Sequence, residues 1–122
     1  MNKLASTNAE NAAYLHAVCP MQAALAHLNG RWKILLLWYI ARGANRYGLL
    51  KARIPATGKM LSQQLNELQA SGLLTKTSHA EAPPRIEYAL TDRARALVPV
   101  LEQLNAWGRA GMASPGPDCA AP

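Results

Sequence analysis

The chain has 122 residues, half of them hydrophobic, and 13 Lys+Arg against 7 Asp+Glu, a net charge of +6. That is one domain's length with enough apolar material for a core. No apolar run approaches the roughly 20 residues of a membrane-spanning helix, and Met1 to Thr7 lacks the apolar block of a signal peptide, so a cytoplasmic protein is expected.

In chain order, Asn8 to Val18, with Ala12, Tyr14, Leu15 and Val18 as apolar positions, reads as a first helix inside an N-terminal arm of residues 1–18. Cys19-Pro20 opens the next helix, since proline suits a first turn, and Asn29-Gly30 closes it. Residues 31–42 are apolar nearly all round and so predict the buried centre of the domain. Gly43-Ala44-Asn45 breaks that helix. Arg46 to Ile54 gives a short helix with Leu49, Leu50 and Ile54 as its apolar set, and Pro55-Ala56 is a tight turn.

Thr57 to Gly72 carries the clearest pattern. Leu61, Leu65 and Leu68 recur at i, i+4 and i+7 and share one face, while Lys59, Ser62, Gln63 and Asn66 occupy the other. Thr57 is placed to cap the start and Gly72 to stop the end in a left-handed turn. Leu73 to Thr77 and Ile86 to Leu90 then read as two strands about a Pro83-Pro84-Arg85 turn. A last helix from about Asp92 to Arg109, capped by Thr91 or Asp92, bears the apolar stripe Leu97, Val100, Leu101, Leu104 and Trp107, with Pro99 predicting a kink or a later start. Residues 112–122, rich in Pro, Ala and Gly, predict a disordered tail that holds Cys119.

Two short helices, a hairpin and a further helix spell a mainly α fold with a small β-hairpin wing, a winged helix-turn-helix spanning residues 19–111. In that fold the second helix of the pair enters a DNA major groove. Lys59, Ser62, Gln63 and Asn66, with Thr57 at the helix start, are therefore expected to meet base edges and nearby phosphates. Arg46, Lys76 and Arg85 are expected at phosphates, Arg85 also at the minor groove. Charge agrees: residues 31–95 hold 11 basic and 4 acidic residues, a local +7, while the remainder sums to −1. The stripe Leu97, Leu101, Leu104 and Trp107 exceeds what one small domain covers and predicts a homodimer joined through the N- and C-terminal helices. Its alternative is packing back on residues 31–42.

Cys19 reads two ways. At a helix start a thiol can have its pKa lowered to roughly 3.5–7.5, a reactive setting, to which His16 one turn earlier would add; the bland alternative is a buried, inert cysteine. Metal binding is not expected, because His16, His27, His79 and the two cysteines lack ligand spacing. No cofactor motif, phosphate loop or nucleophile elbow is present, and a thiol-dependent activity at Cys19 with His16 as base is the one enzymatic alternative.

Cys19-Pro20, Gly30-Arg31-Trp32-Lys33, Arg46-Tyr47, Lys59-Met60-Leu61-Ser62-Gln63-Gln64-Leu65, Gly72-Leu73, Pro83-Pro84-Arg85-Ile86-Glu87-Tyr88, Leu90-Thr91 and Trp107-Gly108 together resemble the HxlR family of bacterial transcription regulators. The chain departs from that pattern by one residue fewer between Pro55 and Met60, by Leu49 where Glu is common and by Ala94 where Gly is common. The resemblance implies a homodimeric winged helix that binds palindromic operators, in most cases a repressor. It also implies control by an oxidant or electrophile through Cys19, the alternative being a small-molecule effector that leaves Cys19 uninvolved.

Overall fold

The computed structural model describes residues 3–114, so Cys119 and the tail from residue 115 lie outside the described residues. Among the described residues six helices and one hairpin follow in the order α1 (Lys3–Val18), α2 (Pro20–Leu28), α3 (Lys33–Ala41), α4 (Tyr47–Arg53), α5 (Gly58–Ala70), β1 (Leu74–His79), β2 (Arg85–Leu90) and α6 (Asp92–Ala110). The mainly α winged helix-turn-helix expected from the sequence is the fold observed.

Helix α3 is the hub because it is apolar on most sides. Leu36, Leu37, Trp38 and Ile40 are buried from it, and the core continues through Leu50 and Ile54, then Leu61, Leu65 and Leu68 of α5, Leu73, Leu74, Tyr88, Ala94 and Leu101. Helices α5 and α6 and strand β2 all pack on α3, whereas α1 packs chiefly on α2. Leu49 departs from the expectation: it is exposed, because the seven-residue α4 turns only Leu50 inward.

Helix ends follow the local chemistry. The Thr57 hydroxyl accepts from Met60 N–H at 3.1 Å and caps α5. Gly72 takes φ +74, which a residue with Cβ adopts only at a cost, and turns the chain out of α5 into β1. The Thr91 hydroxyl accepts from Ala94 N–H at 3.2 Å and itself donates to Gly72 C=O at 2.7 Å, so one side chain caps α6 and ties it to the end of α5.

Helix α6 runs through Pro99 as one element and divides the stripe on which dimerisation was expected. Leu97 is partly buried against the protomer's own core, and Leu101, with 4% of its surface exposed, lies within it. Leu101 is thus spent on the protomer's own core, while Leu97 keeps part of its surface. Positions 94, 97 and 101 form the stripe turned to the core, with Ala94 and Leu101 buried and Leu97 at its edge. Val100, Leu104 and Trp107 form the neighbouring stripe and stay exposed, Trp107 at 78%.

Candidate nucleic-acid interface

Helix α5 sits with Leu61, Leu65 and Leu68 fully buried, and that fixes which of its sides faces outward. Lys59, Ser62, Gln63 and Asn66 are all exposed, and together with Glu67 and Ala70 they line a shallow groove of about 540 Å³ along the helix. The four side chains expected from spacing thus share one open face. Asn66 Oδ1 accepts from Gln69 Nε2 at 3.3 Å, which orients its amide before any ligand arrives. Thr57 is exposed at the start of this face, where its hydroxyl accepts the capping bond from Met60 N–H.

The preceding helix braces this start. Lys51 Nζ of α4 donates to the Ala56 carbonyl in the inter-helix turn at 3.3 Å. Glu67, at the edge of the open face, is held from within: Lys33 Nζ, buried on α3, lies 2.9 Å from Glu67 Oε1. The hydrogen bond from Lys33, aided by its charge, keeps the Glu67 carboxyl below its ordinary 4.5 against the smaller opposing effect of desolvation. An acid beside the open face is therefore charged but locally compensated. Neither Lys33 nor buried Gln64 was marked by spacing alone, since each sits among apolar neighbours that dominate the pattern.

The wing is a two-stranded antiparallel sheet pairing Leu74 with Leu90, Lys76 with Tyr88, Thr77 with Glu87 and His79 with Arg85. Arg46 adds a short bridge on the other edge of β2, opposite Glu87, and Asn45 C=O accepts from Tyr88 N–H at 2.7 Å. Because side chains alternate along a strand, Lys76 shares a face with buried Tyr88 while Arg85 shares the opposite face with His79 and Glu87. The two wing cations expected at phosphates thus project from opposite faces of the ribbon. Lys76 is exposed. Arg85 is only 31% exposed at its side chain, with Nε 3.0 Å from Glu87 and Nη2 3.4 Å from Glu81. Burial raises the Tyr88 phenol above its ordinary 10.0, with a smaller push from Tyr47, as suits a ring anchoring the wing to the core.

Cys19 is the N-cap of α2, with Pro20 in the first turn as read from the sequence, and it is half-buried. Its thiol makes no capping hydrogen bond. His16 lines a groove with Gln22, Leu25 and Asn29 at the α2–α3 junction. Among the described residues no group of three or more His, Cys, Asp or Glu is placed to hold a metal ion, and no helix is long and apolar enough to cross a membrane.

Known proteins similar to this chain point one way. An HTH-type transcriptional regulator of Methanothermobacter thermautotrophicus is 37% identical over 93 residues, which is 75% of this chain and 71% of that one. The HTH-type transcriptional regulator YdzF of Bacillus subtilis is 39% identical over 100 residues, 80% of this chain and 89% of that one. Among solved structures, the redox regulator HypR in its oxidized form superposes with a TM-score of 0.71 at 33% identity, over 79% of this chain and 100% of that one. These are regulators, not enzymes. With the HxlR-like helix-turn-helix pattern matching residues 27–114 on top of an exposed reading helix and a wing, the chain belongs to the HxlR-like family of winged-helix transcriptional regulators.

Proposed function

We propose that two copies of this chain bind a palindromic operator, as a repressor, with the open face of α5 in the major groove. The observation that carries this reading is the clean division of α5, three leucines in the core and Lys59, Ser62, Gln63 and Asn66 outside. Lys59 supplies charge for a phosphate, and the hydroxyl and amides supply donors and acceptors suited to base edges. Arg46, Lys76 and Arg85 extend the contact to the backbone. In a dimer the two α5 helices should lie about one turn of DNA, roughly 34 Å, apart.

The domain division supports assembly. Helix α1 packs on α2 and leaves Tyr14, Leu15 and Val18 exposed, as α2 leaves Met21 and Leu25, while α6 carries the exposed Leu104 and Trp107 near its end. Apolar surface on both terminal segments suits burial against a second copy.

Contacts are tested by titrating DNA from upstream of the gene at several salt concentrations. Arg85→Ala should weaken binding and flatten the log-log salt slope by about 0.9 if one phosphate is no longer neutralised. Gln63→Ala should change which sequences are preferred. Equal loss on every sequence would move Gln63 to the backbone, and an unaltered slope in Arg85→Ala would remove Arg85 from it.

Cys19 is the sensor in this reading, supported by its place at a helix start beside the dimer-forming helices and by the likeness to a regulator named for redox control. Oxidation by a peroxide or adduct formation with an electrophile would alter the separation of the two reading helices. Cys19→Ser should bind the operator and ignore diamide or a quinone, and Cys119→Ser should still respond. A response surviving in Cys19→Ser would assign control to a small ligand instead.

A further inference from the structure

An acid in the middle of a surface built for a polyanion works against binding, and Glu87 is such an acid. It stands in β2 with Arg46 opposite on one edge and Thr77 on the other, and Arg85 two residues earlier projects from the same face. Its carboxylate lies 3.0 Å from Arg85 Nε, 3.9 Å from Arg46 Nε and 3.4 Å from His79 Nε2. Glu81 adds a second acid 3.4 Å from Arg85 Nη2. Two arginines thus meet two carboxylates, so their formal charges cancel.

The grip is of a particular kind. Arg85 Nε and His79 Nε2 are shielded from solvent yet complete no aligned hydrogen bond, so Glu87 attracts the Arg85 guanidinium as a charge rather than as a directional acceptor. Glu87 engages both arginines through Nε, and each guanidinium has terminal N–H donors besides. A phosphate can be met by the terminal nitrogens of Arg46 and by Arg85 Nη1 while Arg85 Nη2 stays on Glu81 and the Nε sides on Glu87.

We propose that Glu87 is a specificity-determining residue: by holding Arg85 and cancelling part of the charge of Arg46 and Arg85, it suppresses binding to DNA that the reading helix does not recognise. This rests on the reading of Arg46 and Arg85 as phosphate contacts. Sequence-independent affinity comes almost wholly from cation–phosphate attraction, whereas discrimination comes from base contacts. An acid that lowers the first and leaves the second raises the ratio between them, which is specificity by disfavouring the wrong partner. Orientation adds to it, since the held guanidinium of Arg85 meets a phosphate only when the wing lies in the register that α5 sets.

The test uses the full chain and two duplexes of equal length, one carrying the upstream sequence and one scrambled, titrated over a range of salt. Glu87→Gln, which keeps size and removes charge, should bind the scrambled duplex several-fold more tightly, with a salt slope steeper by about 0.9 for each further phosphate neutralised. The upstream duplex should gain less affinity, so the ratio of affinities falls. Adding Arg46→Gln and Arg85→Gln should cancel the steepening. Glu87→Asp keeps the charge and should keep the wild-type slope.

Equal weakening of Glu87→Gln on both duplexes at an unchanged slope would overturn the proposal and leave Glu87 a structural brace, as would a steepening that persists without the two arginines or appears in Glu87→Asp. If Arg46→Gln and Arg85→Gln in the otherwise unaltered chain change binding to neither duplex, the phosphate reading fails first, and the role of Glu87 with it.

Discussion

Leu101→Glu should unfold the protomer, whereas Leu104→Glu should leave it folded and convert a dimer into a monomer. The two leucines are one turn apart on α6, but Leu101 is 4% exposed against α3 and Leu104 is 48% exposed. An unpaired carboxylate at the first site costs several kcal/mol or forces the helix off its seat. Against a total stability of about 5–15 kcal/mol for a domain, that is enough to abolish folding near physiological temperature. At the second site the charge remains in water in the monomer and becomes costly only when a partner covers it. Circular dichroism melting and light scattering at micromolar concentration separate the two outcomes. Leu104→Glu that stays dimeric would exclude the outer stripe of α6 from the interface. Leu101→Glu that melts normally would contradict its place in the core.

That pair also marks how far the sequence could be read. The period of Leu97, Leu101, Leu104 and Trp107 identified an amphipathic helix and a surface needing cover, but a stripe does not say which neighbour covers it. Only the tertiary placement of α3 assigns Leu97 and Leu101 inward. The reading helix was legible because its two faces differ in chemistry as well as spacing, and its ends carry Thr57 and Gly72, residues with a local mechanism for starting and stopping a helix. The hairpin was legible from its apolar runs and prolines. The ion cluster on it was not, because the approach of Arg46 to Glu87 depends on a bridge between segments 41 residues apart in the chain. Arg85 and Glu87, two apart on one strand, were the one sign available that they share a face. Lys33 was hidden for a different reason: a polar residue among leucines reads as the edge of an apolar helix until Glu67, the partner that permits its burial, is seen.

Gly30→Ala should lower stability by about 1–3 kcal/mol, the usual cost of overpacking a filled site, and should weaken DNA binding although Gly30 lies away from the open face of α5. A Cβ placed there would lie 2.4 Å from Gln64 Oε1 and 3.1 Å from Lys33 Cδ. Gln64 projects from the inner side of α5 with 6% of its surface exposed, so its amide has little room to swing aside, and the strain passes to α5 itself. Lys33 is the second route, because its ammonium holds Glu67 on the same helix at 2.9 Å. Since that contact depresses the Glu67 pKa, its contribution is present above the ordinary carboxyl value of 4.5 and is lost as pH falls through the lower folded value. Thermal melts should therefore show the Gly30→Ala deficit at neutral pH. Glu67→Gln should lower stability at neutral pH and flatten its fall in acid. Trimming Gln64 to Ala removes the clashing amide, so Gly30→Ala with Gln64→Ala should be more stable than the sum of the two single losses predicts. Additive losses would show that Gly30 and Gln64 do not press on each other. Coupling accompanied by restored operator affinity would establish that the α2–α3 junction, residues 29–32, sets the position of the helix that reads DNA.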